Sequence, residues 1–370
     1  TPSMTIVAFN FDMAKSGLEN GFEIPRGTVL RSVIGADDST ACEYRTGHSV
    51  MLWPVEIVQA DYFARDISSL EPPHSISSAN AGIRIRLKTR DDLEFSNFDL
   101  DSLTFFIRGA EDFPMKIYEQ IFAHGKKLLV QPTEKPFAWQ HVLSSDCIEP
   151  VGFIDQEALL PVVARSFRGY RLLQEYFAFP QRFLFFRIKG LHRCLKQCQH
   201  NDFDLVILLD QEDLALEGRV DTENFALHCA PAINLFSKRA DIIHLSDKFT
   251  EFHVVPNRTR PMDYEVYQVT KVTGYGVRAD EKQPFAPFYS ATDVERNYGS
   301  GAYYSVNRTP RMMSSREKQR GRRSSYGGSE VFLSIVDSAA APYRSDLRQL
   351  AVETLCTNRD LPIQMGDRKS

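Results

Sequence analysis

A chain of 370 residues with 44 basic and 48 acidic side chains, and a formal net charge of −4, lacks the cationic excess that bulk nucleic-acid binding demands. At 43% hydrophobic and 25% charged residues it has the make-up of a folded protein of roughly two to three domains, which excludes disorder throughout and a coiled-coil or collagen-like rod. No apolar run approaches the ~18 residues that cross a bilayer, the densest being 183–186 and 205–209, so direct membrane insertion is not expected.

Two features of the composition stand out. There are 26 Phe and 14 Tyr against 2 Trp, an aromatic surplus of the kind that dominates cores and protein contacts. Six cysteines are too few for a disulfide framework, so free and largely buried thiols are expected. The chain opens at Thr1 directly in an apolar alternating run, which reads as an internal piece of a longer polypeptide.

Residues 1–150 read as a strand-rich domain with one helix. Segments 28–34, 55–63, 82–89 and 103–109 carry β-branched or aromatic residues in partial alternation. In 82–89, Ile83, Ile85 and Leu87 share one face and Arg84, Arg86 and Lys88 the other, as in a half-exposed antiparallel strand. Pro114 near a helix start, a stripe at Ile117, Tyr118, Ile121 and Phe122, and a stop at Gly125 predict the helix.

Residues 151–275 read as an α+β domain. Two overlapping apolar stripes over 166–180 predict a helix buried on much of its circumference and ended by Pro180. Segments 182–190 and 202–210, apolar on both faces, predict central strands of a covered sheet. Further strands are expected over 232–236, 241–245, 252–255 and 264–272. Residues 276–370 read as a long basic loop (305–329), a strand (330–338) and a closing helix (344–362), with Ser345 at its N-cap and Pro362 at its stop. The fold class expected is therefore α+β, strand-rich and multidomain, with β-sandwich or mixed-sheet domains and a few packed helices.

Chemistry is sparse. His192, Cys194, Cys198 and His200 place four metal-capable side chains within nine residues. On a helix, however, His192 lies about 160° from Cys194, and four ligands on one short helix cannot surround an ion. Cys194 and Cys198 are the only metal candidates, and two partly buried thiols are the plainer reading. The acidic run 91–101 has no calcium-loop spacing and reads as a solvated connection. No nucleophile elbow, zinc-protease, phosphate-loop or dinucleotide signature occurs, so no catalytic residue and no cofactor is expected. The basic stretch 308–323 admits phosphate binding or docking of a protein partner. The contact candidates there are Arg308, Arg311, Met312, Met313, Arg322 and Arg323. A metal- or nucleic-acid-binding module built on Cys194 and Cys198 or on 308–323 is the alternative reading.

The middle block, GYRLLQEYFAFPQRFLFF at 169–186, resembles the most recognisable segment of the TssF family, also called VasA or ImpG. NLFSKRADII (234–243), HVVPNRTRPMDYEVYQV (253–269), LAVETLCTNRDLP (350–362), and TPSM (1–4) with EIPRGTVLRS (23–32) are similar to it in the same order. The resemblance implies a structural baseplate subunit of the type VI secretion system, akin to contractile-phage wedge proteins, without reaction or cofactor. It implies TssG, TssK, TssE, the VgrG spike and a second TssF copy as partners, and a cytoplasmic place docked at the inner-membrane complex of a Gram-negative bacterium. It also implies further sequence on both sides, with a helical region before the TPSM-like segment. Neither the Cys194/Cys198 pair nor the 308–323 loop belongs to the motif.

Overall fold

In the computed structural model, the described residues are 1–10, 20–34, 40–64, 79–90, 93–162, 166–277, 282–288, 301–312, 324–338 and 342–365. The fold is strand-rich α+β with few helices, as the alternation of apolar residues requires. The chain forms two compact units, one of Met4–Thr28 with Thr46–Ala232, the other of Thr1–Ser3, Val29–Arg45 and Ile233–Ser370. This division differs from three consecutive segments cut at 150 and 275. Segment 29–45 joins the C-terminal part of the chain because its hydrogen-bond partners lie there, a long-range match that local texture cannot reveal.

Among the described residues, the larger unit contains two antiparallel sheets of four or more strands, beside the short pair Phe22–Ile24 and Val50–Leu52. Five strands take the order β5-β4-β8-β2-β1, where β1 is Val55–Phe63, β2 Ala81–Thr89, β4 Gly125–Gln131, β5 His141–Ser144 and β8 Asp202–Leu209. β8 is central and buried from Phe203 to Leu209, as its two-sided apolar pattern predicts. Its one deep acid is answered in register: Asp204 lies opposite Arg86, whose Nε and Nη2 donate to the carboxylate at 2.7 and 3.0 Å. Along β2, Ile83, Ile85 and Leu87 are fully buried while Arg84, Arg86 and Lys88 are partly exposed.

The second sheet runs β6-β7-β3-β9, with β3 Ser102–Ile107, β6 Ile148–Val151, β7 Phe185–Lys189 and β9 Phe225–Ala226. Here the aromatic surplus packs: Phe185 pairs with Phe106 and Phe186 with Phe105, ring centroids 4.7 and 5.0 Å apart. Helix α1 (Phe113–Glu119) has Pro114 in its first turn and continues as a π turn to His124, and β4 begins at Gly125.

The smaller unit is built on an extended sheet, β10-β16-β12-β13-β14-β15-β11. These strands are β10 Phe236–Arg239, β11 Phe252–His253, β12 Glu265–Tyr275, β13 Lys282–Pro287, β14 Ala302–Pro310, β15 Ser329–Asp337 and β16 Gln349–Thr357. Only the β13–β14 pair is parallel among those registered. The core holds Val266, Val272, Leu333, Leu350, Val352 and Cys356 among others. A hairpin of Val29–Arg31 and Glu43–Thr46 is tied in by a buried amide pair: Asn358 Oδ1 accepts the Glu43 N–H at 2.8 Å and Asn234 Nδ2 at 2.8 Å, while Asn234 Oδ1 accepts the Asn358 N–H at 2.7 Å.

Two expectations are corrected here. The closing helix over 344–362 is instead strand β16, held between β10 and β12, and only Leu361–Gln364 is helical. Leu350, Val352, Thr354 and Cys356 alternate inward, the period of two that a strand requires. The expected loop over 305–329 begins as strand, because Ala302–Pro310 pairs with Ser329–Asp337 over nine residues; its part 313–323 lies outside the described residues.

Candidate docking face

Helix α2 (Arg168–Ala178) lies where the sequence predicts it, and Phe179 (φ −157°) leads into a 3-10 turn at Pro180–Phe183. Its burial is the reverse of the expectation. Phe167, just before it, and Tyr170, Leu173, Tyr176 and Phe177 on it are 48–80% exposed, whereas Arg171 and Glu175 are its buried residues. At about 100° per residue, Tyr170, Leu173, Tyr176 and Phe177 centre opposite the Arg171/Glu175 pair. Apolar periodicity fixes which residues share a face, but not which face turns inward.

The inward face is an ion cluster. Glu175, with no exposed surface, accepts from the N–H groups of Leu159 and Leu160 at 3.2 and 3.0 Å and from Arg171 Nη1 at 3.3 Å. Its second oxygen lies against Nη1 of Arg182, which is also fully buried. Arg182 Nη2 donates to the carbonyls of Gly152 and Glu157 at 2.7 and 2.9 Å. Arg171 Nη2 reaches Asp155 Oδ1 at 3.2 Å, and Arg168 Nε reaches Asp155 Oδ2 at 3.1 Å. Glu157 Oε2 accepts the Gly152 N–H at 2.5 Å. With Arg187 Nη2 3.7 Å from Glu157 Oε1, four guanidiniums face three carboxylates. Burial, reinforced by the charge of Arg171, lowers the Arg182 guanidinium to about 10, still well above neutrality. Gly152 takes φ +108°, and a Cβ there would lie 3.1 Å from Arg182 Nη2, so this turn needs glycine.

The outward face extends beyond the helix. Phe153 and Tyr176 both pack on the Phe183 ring, at 5.0 and 6.1 Å, and Ile154 beside Phe153 is 55% exposed. A contiguous exposed apolar patch of this kind marks an interaction site.

The other candidates lie elsewhere. In the smaller unit, Arg308 on β14 donates to Ser329 Oγ at 2.7 Å and to the Tyr267 carbonyl at 2.8 Å, lining a cavity of about 700 Å³ with Glu265, Tyr326 and Arg359. Arg311 lies 3.5 Å from Glu330, and Met312 is 84% exposed. Met313, Arg322 and Arg323 lie outside the described residues. Cys194 and Cys198 are buried thiols turned to backbone carbonyls, Cys194 to Gly190 and Cys198 to His200 and Asp202. Burial pushes the Cys198 thiol up to about 11, against the thiolate that metal binding needs. Among the described residues, no three His, Cys, Asp or Glu converge on a metal position.

The family model described as "Type VI secretion system, TssF" matches residues 1–370, the whole chain. The chain belongs to the TssF family. It is 47% identical to type VI secretion system component TssF1 of Pseudomonas aeruginosa over 373 residues, which is 100% of this chain and 60% of that protein. It therefore spans about three-fifths of the length of this relative. Among solved structures, a TssK-TssF-TssG baseplate subcomplex of the type VI secretion system contains a chain matched at TM-score 0.71 and 22% identity, over 96% of this chain and 60% of that one. A chain of a type VI baseplate complex matches at TM-score 0.51 and 19% identity, over 96% and 56%. Both likenesses show a fold shared with a chain of each assembly, and no helix among the described residues is long and apolar enough to cross a membrane.

Proposed function

We propose that this TssF chain is a structural subunit of a type VI secretion baseplate that works by docking, without catalysis. The observation that carries the reading is the whole-length family match, joined to a fold shared with chains of baseplate assemblies. The α2 face supports it, since a helix that buries Arg171 and Glu175 and exposes its aromatics is built for contact. By likeness to the relatives, TssG and TssK are its partners, with TssE, the VgrG spike and a second TssF copy completing a wedge. The place of work is the cytoplasmic side of the inner membrane of a Gram-negative cell, and Arg308, Arg311 and Met312 are a secondary contact region. Co-expression with TssG and TssK tests this reading. The three should co-elute at fixed stoichiometry, and a folded chain that elutes apart from both overturns it.

A further inference from the structure

The larger unit holds a cavity of about 250 Å³ against the polar side of its second sheet. In the β3–β7 register Thr104 lies opposite Arg187 and Ser102 opposite Lys189, so these four side chains share one face. All four line the cavity, while Phe105, Phe186 and Ile188 of the same strands are buried in the core. His48, edge-on to the Phe185 ring at 5.1 Å, lines it too. Val50, Met51, Trp53, Leu103 and Leu227 supply an apolar wall.

The charge at this wall is not balanced. Burial, with the Arg187 charge adding to it for His48, lowers the His48 and His228 imidazoles to about 4, so both are neutral at pH 7. The charged lining is then Arg187 and Lys189 against Glu23. Lys189 is held by Glu149 at 2.5 Å. Arg187 is not held in this way. Its Nε donates to Thr104 Oγ1 at 3.2 Å, but the carboxylate beside it, Glu157, stays at 3.7 Å, beyond hydrogen-bond length. Glu157 is itself part of the buried cluster, where guanidiniums already outnumber carboxylates. Arg26, donating to the Ala158 carbonyl at 2.6 Å, adds one more to the same turn. A partly buried guanidinium in surplus is stabilised by any anion that reaches it.

We infer that this cavity binds a small organic oxyanion, its oxygens taken by the Arg187 guanidinium and the Thr104 and Ser102 hydroxyls and its apolar part lying on the Val50–Trp53 wall. The planar fork of Arg187 suits a phosphate or carboxylate group. The volume lies just below the ~300 Å³ at which pockets for drug-sized ligands begin, so the occupant is small. This goes beyond the docking reading and does not rest on it.

Calorimetric titration of the intact protein with phenyl phosphate, against sodium chloride of equal ionic strength, reads the site. One equivalent should bind with a dissociation constant of about 1 mM or tighter. Inorganic phosphate, without the ring, should bind more weakly, and phenol, without the charge, not at all. Arg187→Gln should weaken phenyl phosphate roughly tenfold or more, the loss of a charge-assisted hydrogen bond. Thr104→Val keeps the strand and should also weaken binding, so the test stands if Arg187→Gln does not fold. Lys271→Gln, at an exposed site on β12 of the other unit, should change nothing. No binding up to about 20 mM overturns the inference. It also fails if Arg187→Gln and Thr104→Val both bind like wild type, or if Lys271→Gln weakens binding as much as they do.

Discussion

At the scale of single residues, the buried His48 and the half-buried His228 set an acid limit on the larger unit. His48 Nε2 faces the Cys229 carbonyl at 3.3 Å, so that nitrogen carries the proton. His228 Nε2 accepts the Trp53 N–H at 3.2 Å, so its proton sits on Nδ1. Burial is the main cause that lowers both to about 4, with nearby arginines adding to it. The unfolded chain titrates near 6.5, so between about 6.5 and 4 it binds protons that the native state refuses. Stability is fully present above about 6.5 and is lost as pH falls, by roughly 3 kcal/mol per imidazole at pH 4. Urea midpoints measured from pH 7 to 4 should fall accordingly, and His48→Leu should remove about half of the slope. A flat profile would show that the rings protonate in place. The ion cluster supplies a second residue-scale prediction. Glu175→Gln leaves the fully buried Arg182 guanidinium without its carboxylate and should cost about 3–5 kcal/mol in urea unfolding, whereas Arg171→Leu/Glu175→Leu/Arg182→Met together should cost far less. Equal losses in the two variants would mean that packing, and not charge balance, holds the cluster.

At the scale of elements, legibility in the sequence depended on whether an element's environment was local. Strands 55–63, 82–89 and 202–210 were plain because alternation, or its absence, states how many faces are covered. Segment 349–357 was not, since Leu, Ala and Glu favour helix and the partner strands that overrule them lie far away in the chain. Helix α2 was located correctly and oriented wrongly. The missing information was Arg182 and the 152–160 turn, which reach Arg171 and Glu175 from outside the helix. No spacing rule marks a charged i,i+4 pair as the buried side. The inversion of β16 from helix to strand is testable by its period. Leu350→Ala should cost about 2–5 kcal/mol, and Leu355→Ala, on the partly exposed side, less than half as much. Comparable losses would contradict the alternation.

At the scale of the whole molecule, the two units own separate cores. Chemical unfolding should accordingly resolve two transitions. Ile207→Ala should shift one midpoint and Leu350→Ala the other, since each side chain is fully buried in a different core. A single transition moved equally by both substitutions would show one cooperative body.

The hairpin around residue 43 has a consequence for biosynthesis. Its Glu43 N–H is satisfied by the side chain of Asn358, 315 residues later. At translation rates of ~5–20 residues per second, that acceptor leaves the ribosome on the order of 15–60 seconds after the donor. The Glu43 N–H must bond to water for that interval, during which residues 46–232 leave the ribosome. Closure of the smaller unit around this amide pair is in this sense timed by the ribosome.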